Sequence, residues 1–444
     1  MGLDLGLEAT KRFRTVACLE KNPVFCETIR ANKKAGRLHD KLEVFEGDVS
    51  DFDPLDILRV AGIRPGQVDL VVGGPPCQSF STAGRRRTTR DPRGTLLWQY
   101  LRFVAMMRPK FFLMENVRGL LSAALRHRPI AERPDKGGPP LRKDEMPGSV
   151  VGLFANTLQS LPKSPYHMDC FEVNAVNYGA PQIRERALFI GNRYNALVEF
   201  PGPTHGPSTD SSGQSLLPWR TLGDAISDVH EDNPVLLDFS PRKKQYLAMV
   251  PEGSNWRSLP QDIQKESMGR AWHAKGGRSG WWRRLSHDLP CPTLVTMPNH
   301  ASTSLCHPSE VRALSLGEYA RIQEFPEGWQ FCGTAAQQYE QVGNAVPVRL
   351  GEVAGHLIAD HLDKLKKRKW HAYPAKQDAY RVVYVQAHVR TRRWYRNGKI
   401  FVRTDGGATD GTVYSKPRTV RRTSLIEADN VKPSKNNRQT RTAG

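Results

Sequence analysis

The sequence Gly-Gly-Pro-Pro-Cys-Gln-Ser-Phe-Ser at residues 73–81 follows the apolar run Val-Asp-Leu-Val-Val at residues 68–72. Such a run is typical of a buried parallel strand, and the paired glycines and prolines predict an abrupt turn at its end. Cys77 is therefore expected at the carboxyl end of a strand, where open α/β sheets bind ligands. A free cysteine is most often a small buried apolar residue, but a thiol on a rigid turn is also a candidate nucleophile.

Neighbouring segments repeat this arrangement of an apolar run that ends in a polar residue. Residues 15–20 end in Glu20, residues 43–48 end in Asp48, and Glu115 follows residues 110–114. Helical apolar spacing lies between strands, as at residues 95–107. This alternation predicts an α/β fold with a doubly wound, mostly parallel sheet, which places the acids and Cys77 at one edge.

Composition narrows the class of protein and its partners. The chain has 444 residues, of which 39% are hydrophobic, and no apolar run approaches the ~18 residues that span a bilayer. A cytoplasmic protein with no membrane contact is therefore expected. Seven cysteines without a Cys-x-x-Cys pair favour neither a metal site nor a disulfide framework. The net charge of +20 predicts a polyanionic partner.

The chain divides by composition into residues 1–193, 194–290, 291–363 and 364–444. The second region is rich in Pro, Gly, Ser and Trp and contains a basic, aromatic tract at residues 275–284, which suits phosphate contacts and base stacking. The last region holds 21 Lys and Arg against five Asp and Glu. It is interpreted as a partly disordered basic extension, either nucleic-acid-binding or merely solvated. Residues 127–147 lack periodicity and predict a flexible surface loop.

Five ordered motifs over residues 2–362 resemble those of the DNA (cytosine-5) methyltransferases. They are Gly-Pro-Pro-Cys-Gln-Ser-Phe-Ser (74–81), Glu-Asn-Val (115–117), Gln-x-Arg-x-Arg (182–186), Arg-x-Gln-x-Phe-Pro (321–326) and Gly-Asn-Ala-Val-Pro (343–347). The resemblance implies a Rossmann-like, S-adenosylmethionine-dependent methyltransferase fold with a smaller target-recognition domain at 194–290. It also implies that a cytosine within a specific double-stranded DNA sequence is methylated at carbon 5.

The resemblance implies roles for individual residues. Cys77 would attack carbon 6 of the base, Glu115 would protonate ring nitrogen 3, and Arg186, together with Arg184, would bind the base carbonyl. The implied cofactor residues, with Glu20 on the ribose and Asp48 on the adenine amine, are Glu20, Asp48, Val49, Pro76, Leu96, Asn344 and Val346. The residues expected to contact DNA are Ser81, Arg85, Arg86, Arg87, Gln182, Lys275, Gly276, Gly277 and Arg283. Because the target carbon lies inside a duplex, the base must be flipped out.

One family motif is incomplete. The family begins with a strand and Asp-x-Phe-x-Gly-x-Gly-Gly, whereas this sequence begins inside that motif with Gly-Leu-Asp-Leu-Gly-Leu-Glu at residues 2–8. Either the sequence starts after the true beginning of the protein, which is the expectation, or the gene product is shortened and impaired. In the latter case the protein is a DNA-binding protein with little activity.

Two further classes of enzyme act on cytosine. An RNA cytosine-5 methyltransferase shares the fold, although the Cys-Phe-Thr signature of the tRNA-specific branch is missing. A zinc-dependent deaminase is disfavoured, because neither His-x-Glu nor Cys-x-x-Cys occurs. The bacterial-like layout suggests a companion restriction endonuclease for the same DNA site, and the enzyme itself is expected to be monomeric.

Overall fold

The structure is a computed structural model that describes residues 1–76, 95–206, 215–274, 278–372, 379–385 and 418–423. Its principal elements are α1 (Gly2–Ala9), β1 (Ala17–Glu20), α2 (Pro23–Lys34), β2 (Glu43–Glu46), α3 (Pro54–Val60), β3 (Leu70–Gly73), α4 (Leu96–Met107), β4 (Phe111–Val117), α5 (Ser149–Gln159), β5 (His167–Asn174), β6 (Glu185–Asn192), α6 (Leu222–Ile226), α7 (Pro241–Ala248), α8 (Gln261–Met268), α9 (Leu316–Ile322), α10 (Ala335–Asn344), α11 (Val348–Lys366), β7 (Ala379–Tyr384) and β8 (Arg418–Thr423). Among the described helices, none has the length and apolar character needed to cross a bilayer.

The strands form two hydrogen-bonded groups. β1 and β2 pair in parallel, and the other six strands follow the order β3-β4-β6-β5-β7-β8. β3 is parallel to β4, whereas β6 runs antiparallel to both β4 and β5. The sheet is thus mixed, and the carboxyl ends of β3 and β4 share an edge with the beginning of β6.

Strand β4 lies at the centre of the core. Phe111, Phe112, Leu113 and Met114 are all fully buried. Because successive side chains of a strand point to opposite faces, Phe112 and Met114 pack with α4 and α5, whereas Phe111 and Leu113 pack with α11. Helices on both faces fix this strand, so the residues at its carboxyl end are held on a rigid support.

Helix α1 packs closely against α11. A Cβ atom at Gly6 would lie 2.1 Å from the carbonyl oxygen of Val348, and one at Gly351 would lie 2.4 Å from that of Leu3. Only glycine allows the two helix backbones to come this close. The contact begins at Gly2, where a Cβ atom would lie 1.9 Å from the carbonyl oxygen of Val346, in the late Gly-Asn-Ala-Val-Pro motif.

Local sequence explains where several helices begin. Asn22 and Asp53 cap α2 and α3, and each is followed by a proline at the first helical position. A reciprocal pair of hydrogen bonds between Ser315 and Glu318 starts α9 at Leu316. The apolar pattern of residues 310–325 predicts a longer helix, but the cap at Ser315 starts it later.

Residues 239–313 contribute a separate apolar cluster. It contains Phe239, Tyr246, Trp256, Trp282 and Ala313, among others. Its members come from α7, α8 and the segments around them. The segment 301–313 therefore packs with the predicted recognition region, although it follows Pro290 in the sequence.

The chain after α11 returns to the main sheet. β7 pairs in parallel with β5, and β8 pairs antiparallel with β7. Tyr380 is 2% exposed and packs in the core with α4 and α5. β7 and β8, from the basic extension, thus belong to the main sheet. The Asn-Gly pair at residues 397–398, which is typical of a hairpin turn, lies outside the described residues.

Candidate active site

The turn after β3 is fixed by contacts with its neighbours. A Cβ atom at Gly73 would lie 2.7 Å from the Tyr100 ring, so only glycine fits there. The Tyr100 hydroxyl donates to the carbonyls of Val71 and Leu113 at 3.0 and 3.1 Å. Asn116 Nδ2 donates to the carbonyl of Pro75 at 2.8 Å. The chain is therefore held firmly up to Pro76, the residue before Cys77.

Several predicted residues lie outside the described part of the chain. These are Cys77, Ser81, Arg85, Arg86, Arg87, Lys275, Gly276 and Gly277. Their roles stay predictions. The described residues nevertheless define the surroundings into which the turn after β3 leads.

Glu115 and Arg186 form an ion pair beside this turn. Arg186 Nε lies 2.6 Å from Glu115 Oε1, and the two side chains are 13% and 14% exposed. The antiparallel register places Arg186 opposite Val117, two residues beyond Glu115. A Cβ atom at Gly74 would lie 3.2 Å from Glu115 Oε2, so the carboxylate faces the turn three residues before Cys77. A partly buried acid and a guanidinium thus meet where the nucleophile is predicted.

Arg184 occupies a different environment from Arg186, and its predicted catalytic role stays a prediction. Its side chain is 2% exposed, and its guanidinium donates to the carbonyls of Leu294 and Gly343 at 3.1 and 2.8 Å. Burial lowers the pKa of Arg184, and the nearby charge of Arg186 adds to this effect. Through these backbone contacts, Arg184 ties three segments of the chain together.

Gln182 is likewise buried in a hydrogen-bond network, and its predicted DNA contact stays a prediction. The side chain is fully buried. Gln182 Nε2 donates to Gln323 Oε1 at 3.0 Å, and Gln182 Oε1 accepts from Leu294 N at 3.0 Å. Gln323 in turn donates to the carbonyls of Val342 and Ala345 at 2.7 and 2.9 Å. The network leaves no exposed amide atom for DNA.

The ends of β1 and β2 bring two predicted cofactor acids to one edge. Glu20 lies opposite Glu46 in the parallel register, and Asp48 follows the glycine after β2. Glu20 Oε1 accepts from Asn22 N at 2.8 Å, and Lys21 Nζ lies 2.8 Å from Asp48 Oδ2. Hydrogen bonds from Lys21 and Ser50 hold the pKa of Asp48 well below its ordinary value.

The remaining predicted cofactor residues differ in exposure. Leu96 is 37% exposed at the start of α4, and Pro76 and Asn344 are also exposed. The Val49 carbonyl accepts from Arg102 Nη2 at 2.7 Å. Val346 is 6% exposed and packs in the core beside α1. Carboxylates for ribose hydroxyls and an amine, with exposed apolar side chains nearby, fit the donor set of an adenosyl cofactor.

The predicted DNA-facing region offers one described candidate. Arg283 is half-buried, and its Nε donates to the Ser304 carbonyl at 3.2 Å. Sequence reasoning assigned no role to Trp256, although the guanidinium carbons of Arg257 and Arg278 lie 4.5 and 5.0 Å from its ring centroid. Sequence reasoning also missed that Asn116 holds the carbonyl of Pro75. The position of Asn116 next to Glu115 was the available signal.

Comparison with known proteins agrees with this geometry. Residues 1–359 match the family described as C-5 cytosine-specific DNA methylase. The type II methyltransferase M.Sau96I of Staphylococcus aureus is 34% identical over 82% of this chain and 74% of its own length. M.PspPI of Psychrobacter sp. (strain TA137) is 36% identical over 82% of this chain and 78% of its own. Both are named type II methyltransferases.

A solved Escherichia coli prophage structure, described as a DNA modification methyltransferase, shares the fold. Its TM-score is 0.51 at 20% sequence identity, with 82% of this chain and 96% of that chain covered. The predicted Rossmann-like methyltransferase fold is thereby confirmed. The chain belongs to the C-5 cytosine-specific DNA methylases, enzymes that transfer a methyl group from S-adenosylmethionine to carbon 5 of cytosine in DNA.

Proposed function

We propose that this enzyme methylates a cytosine within one short double-stranded DNA sequence and that Cys77 is its nucleophile. The observation that carries the proposal is the Glu115–Arg186 pair, which faces the rigid turn three residues before Cys77. The type II relatives support sequence specificity. The enzyme is proposed to be monomeric, to act in the bacterial cytoplasm on nucleoid DNA, and to accompany a restriction endonuclease for the same sequence.

The chemistry begins at the Cys77 sulfur. Its thiolate forms a bond to carbon 6 of a flipped-out cytosine, which makes carbon 5 nucleophilic. An unperturbed cysteine is only a few per cent thiolate at neutral pH, so its surroundings must favour ionisation. S-Adenosylmethionine, when bound, supplies the methyl group that carbon 5 accepts. Removal of the carbon 5 proton then expels the Cys77 thiolate and restores the aromatic base.

Glu115 and Arg186 stabilise the base while Cys77 is attached. Addition at carbon 6 moves electron density toward ring nitrogen 3, where the Glu115 carboxyl donates a proton. The Arg186 guanidinium donates to the carbonyl oxygen at carbon 2. The 2.6 Å contact between Nε and Oε1 holds the two groups side by side, as neighbouring atoms of one base require.

The cofactor and DNA are proposed to occupy different sides of this pair. Glu20 and Asp48, at the ends of β1 and β2, hold the ribose and adenine. Residues 1–193 and 291–363 form the catalytic domain in this proposal. Residues 194–290, with Arg283 and the tract at 275–277, read the DNA. β7 and β8, which belong to the basic extension, lengthen the sheet of this domain.

Bisulfite sequencing of DNA from cells that express the chain tests this function. We expect methylated cytosines in one short sequence context for the unaltered protein, and none above background for Cys77→Ala. The same pattern in both samples would contradict the assignment of Cys77. No methylation by either protein, with DNA binding retained by both, would instead support a DNA-binding protein without activity.

A further inference from the structure

The connection between β4 and α5 carries a group of cations that is separate from the predicted recognition region. The cations lie in the part of this connection formed by residues 123–148. The sequence predicts a flexible surface loop for most of this segment. Buried contacts order it instead. Arg128 Nη1 donates to the carbonyl of Pro139 at 2.6 Å, and Arg128 pairs with Glu145, with exposed fractions of 10% and 6%. Short 3₁₀ helices lie at Ile130–Glu132, Pro134–Lys136 and Lys143–Glu145.

This segment shapes a basic cleft of about 440 Å³. Three exposed cations line it: Arg126, Lys136 and Arg142. Within the described residues, none of them is in an ion pair with a carboxylate. Glu132 is the exposed acid of the cleft, while Glu145, its other acid, is engaged by Arg128 and by the backbone N–H of Arg142. The cleft therefore retains a surplus of positive charge.

The backbone that carries these cations is closely packed. Gly138 N donates to the carbonyl of Arg133 at 3.0 Å, and a Cβ atom at Gly138 would lie 2.0 Å from the carbonyl oxygen of Glu132. Arg126 N donates to the carbonyl of Asp144 at 2.8 Å, which closes the segment at its base. Fixed cations lose less conformational entropy on binding an anion than cations on a mobile loop do.

The segment that carries the cleft leaves the sheet at the edge of the active site. The segment begins six residues after Val117, the end of β4, and Glu115 lies on that strand. Arg118 is the first residue after β4, and its Nη1 lies 3.1 Å from Oε2 of Glu185, which precedes Arg186 in the sequence. A duplex whose base reaches Glu115 presents backbone phosphates along this edge, at about one charge per 1.7 Å of helix axis.

We propose that Arg126, Lys136 and Arg142 bind backbone phosphates of the duplex that flanks the target sequence. Phosphate contacts fix position and add affinity without reading bases. The cleft therefore lengthens the DNA footprint and leaves the recognised sequence unchanged. This inference requires only that duplex DNA is the substrate, and it does not depend on the role proposed for Cys77.

The test compares two duplexes that contain the same target sequence, one of about 14 and one of about 40 base pairs, titrated over a range of salt concentrations. The variant is Arg126→Gln, Lys136→Gln and Arg142→Gln combined. Its affinity for the long duplex should fall about tenfold or more at ~0.1 M salt, and the salt slope should fall by about 2 to 3 units. Affinity for the short duplex and kcat should stay unchanged.

The matched control is Lys41→Gln, Arg64→Gln and Lys163→Gln combined. These exposed cations precede β2, β3 and β5, at the amino-terminal ends of those strands, and their removal changes the net charge equally. The control should keep most of the long-duplex affinity. Equal losses in both triple variants would show a general charge effect and overturn the proposal. An unchanged salt slope in the first variant, with an unchanged melting temperature, would also overturn it.

Discussion

Two pairs of arginine and carboxylate lie on the same sheet and differ in how completely they are bonded. In one, Glu115 of β4 meets Arg186 of β6; in the other, Asp169 of β5 meets Arg381 of β7. Asp169 is 1% exposed and sits inside the sheet, whereas Glu115 is 14% exposed at the edge that binds ligands. The same two chemical groups therefore form a buried pair inside the sheet and a partly exposed pair at its edge.

Asp169 is saturated by protein donors. Its Oδ1 accepts from Arg381 N at 3.0 Å, and its Oδ2 accepts from Arg381 Nε and Nη2 at 3.1 and 2.6 Å. His167 Nε2 lies 3.4 Å from Asp169 Oδ1. Arg381 Nη2 also donates to the Val198 carbonyl at 2.6 Å. By contrast, Oε2 of Glu115 receives no hydrogen bond from any described residue. A carboxylate whose oxygens all accept from protein donors, like Asp169, stabilises the fold. A carboxylate oxygen that has no donor among the described residues, like Oε2 of Glu115, can bond to a substrate.

The largest expected effect is on chemistry at the unsaturated pair. Glu115→Gln removes the proton that ring nitrogen 3 needs but keeps the shape of the side chain. We expect kcat to fall about 10²- to 10⁴-fold. The free energy of unfolding should change by about 1 kcal/mol or less, since the side chain is isosteric and lies at the edge of the site. Methyl transfer from labelled S-adenosylmethionine and denaturant unfolding measure the two quantities.

Asp169→Asn is the matched control, because it makes the same substitution in the saturated pair. It should lower the stability and leave kcat within a few-fold at a temperature where the protein is folded. A fall in kcat as large as that of Glu115→Gln would remove the distinction between the two pairs.

Breaking the saturated pair from its other side should cost mainly stability. Arg381→Met leaves Asp169 buried without its principal partner, and loss of one member of a buried pair costs about 3 to 5 kcal/mol. Urea unfolding of the full chain measures this change. The double variant Asp169→Asn with Arg381→Met should recover part of the loss, since no uncompensated charge is then buried. A change below about 1 kcal/mol in Arg381→Met would show that β7 is not needed to stabilise the sheet.

A smaller activity effect is expected when only the shape of the guanidinium changes. Arg186→Lys keeps the charge but loses the planar fork that addresses both Glu115 and the base carbonyl. We expect kcat to fall about 10²- to 10³-fold, as for the loss of one stabilising donor. Arg349→Lys serves as the control, because this half-buried arginine pairs with Glu324 and Glu352 and not with Glu115. Equal rates for Arg186→Lys and the unaltered enzyme would argue against a role in binding the base.

The acid dependence of stability should separate the pairs further. Burial disfavours the ionised form of Asp169, but hydrogen bonds from His167 and Arg381 outweigh it, so the pKa of Asp169 is lowered. In the unfolded chain the pKa of an aspartate is about 3.9, and above that pH the lowered pKa of Asp169 stabilises the folded state. This stabilisation is lost as the pH falls through the pKa of Asp169 in the folded state. The unfolding free energy of the unaltered protein should therefore decline more steeply below about pH 4 than that of Asp169→Asn. Parallel curves would contradict this.

The sequence predicted the unsaturated pair but not the saturated one. Glu115 and Arg186 stand in short motifs at strand ends, and the parallel pattern of β3 and β4 brings them to Cys77. Asp169 and Arg381 are 212 residues apart, and no local pattern indicates that β7 joins β5. The charge of the extension indicated a nucleic-acid-binding or solvated tail, because composition alone does not reveal a buried partner.

The period of a strand could not predict the surroundings of Arg184. Alternation places Arg184 on the face of Arg186, but β6 begins only at Glu185. The preceding segment follows Cys291 instead, with Ile183 N donating to its carbonyl at 2.8 Å. That contact joins residues over a hundred positions apart, so only the folded chain shows that Arg184 is enclosed by backbone carbonyls.

The most direct test measures covalent attachment of the protein to a duplex that carries 5-fluorocytosine at the target position. Fluorine cannot leave carbon 5 as a proton does, so the bond from Cys77 persists after methyl transfer and intact mass detects it. We predict adduct at Cys77 in the unaltered protein and in Asp169→Asn, with adduct formation at least about 100-fold slower in Glu115→Gln. Equal rates in Glu115→Gln and the unaltered protein, or an adduct at a residue other than Cys77, would contradict the proposed site.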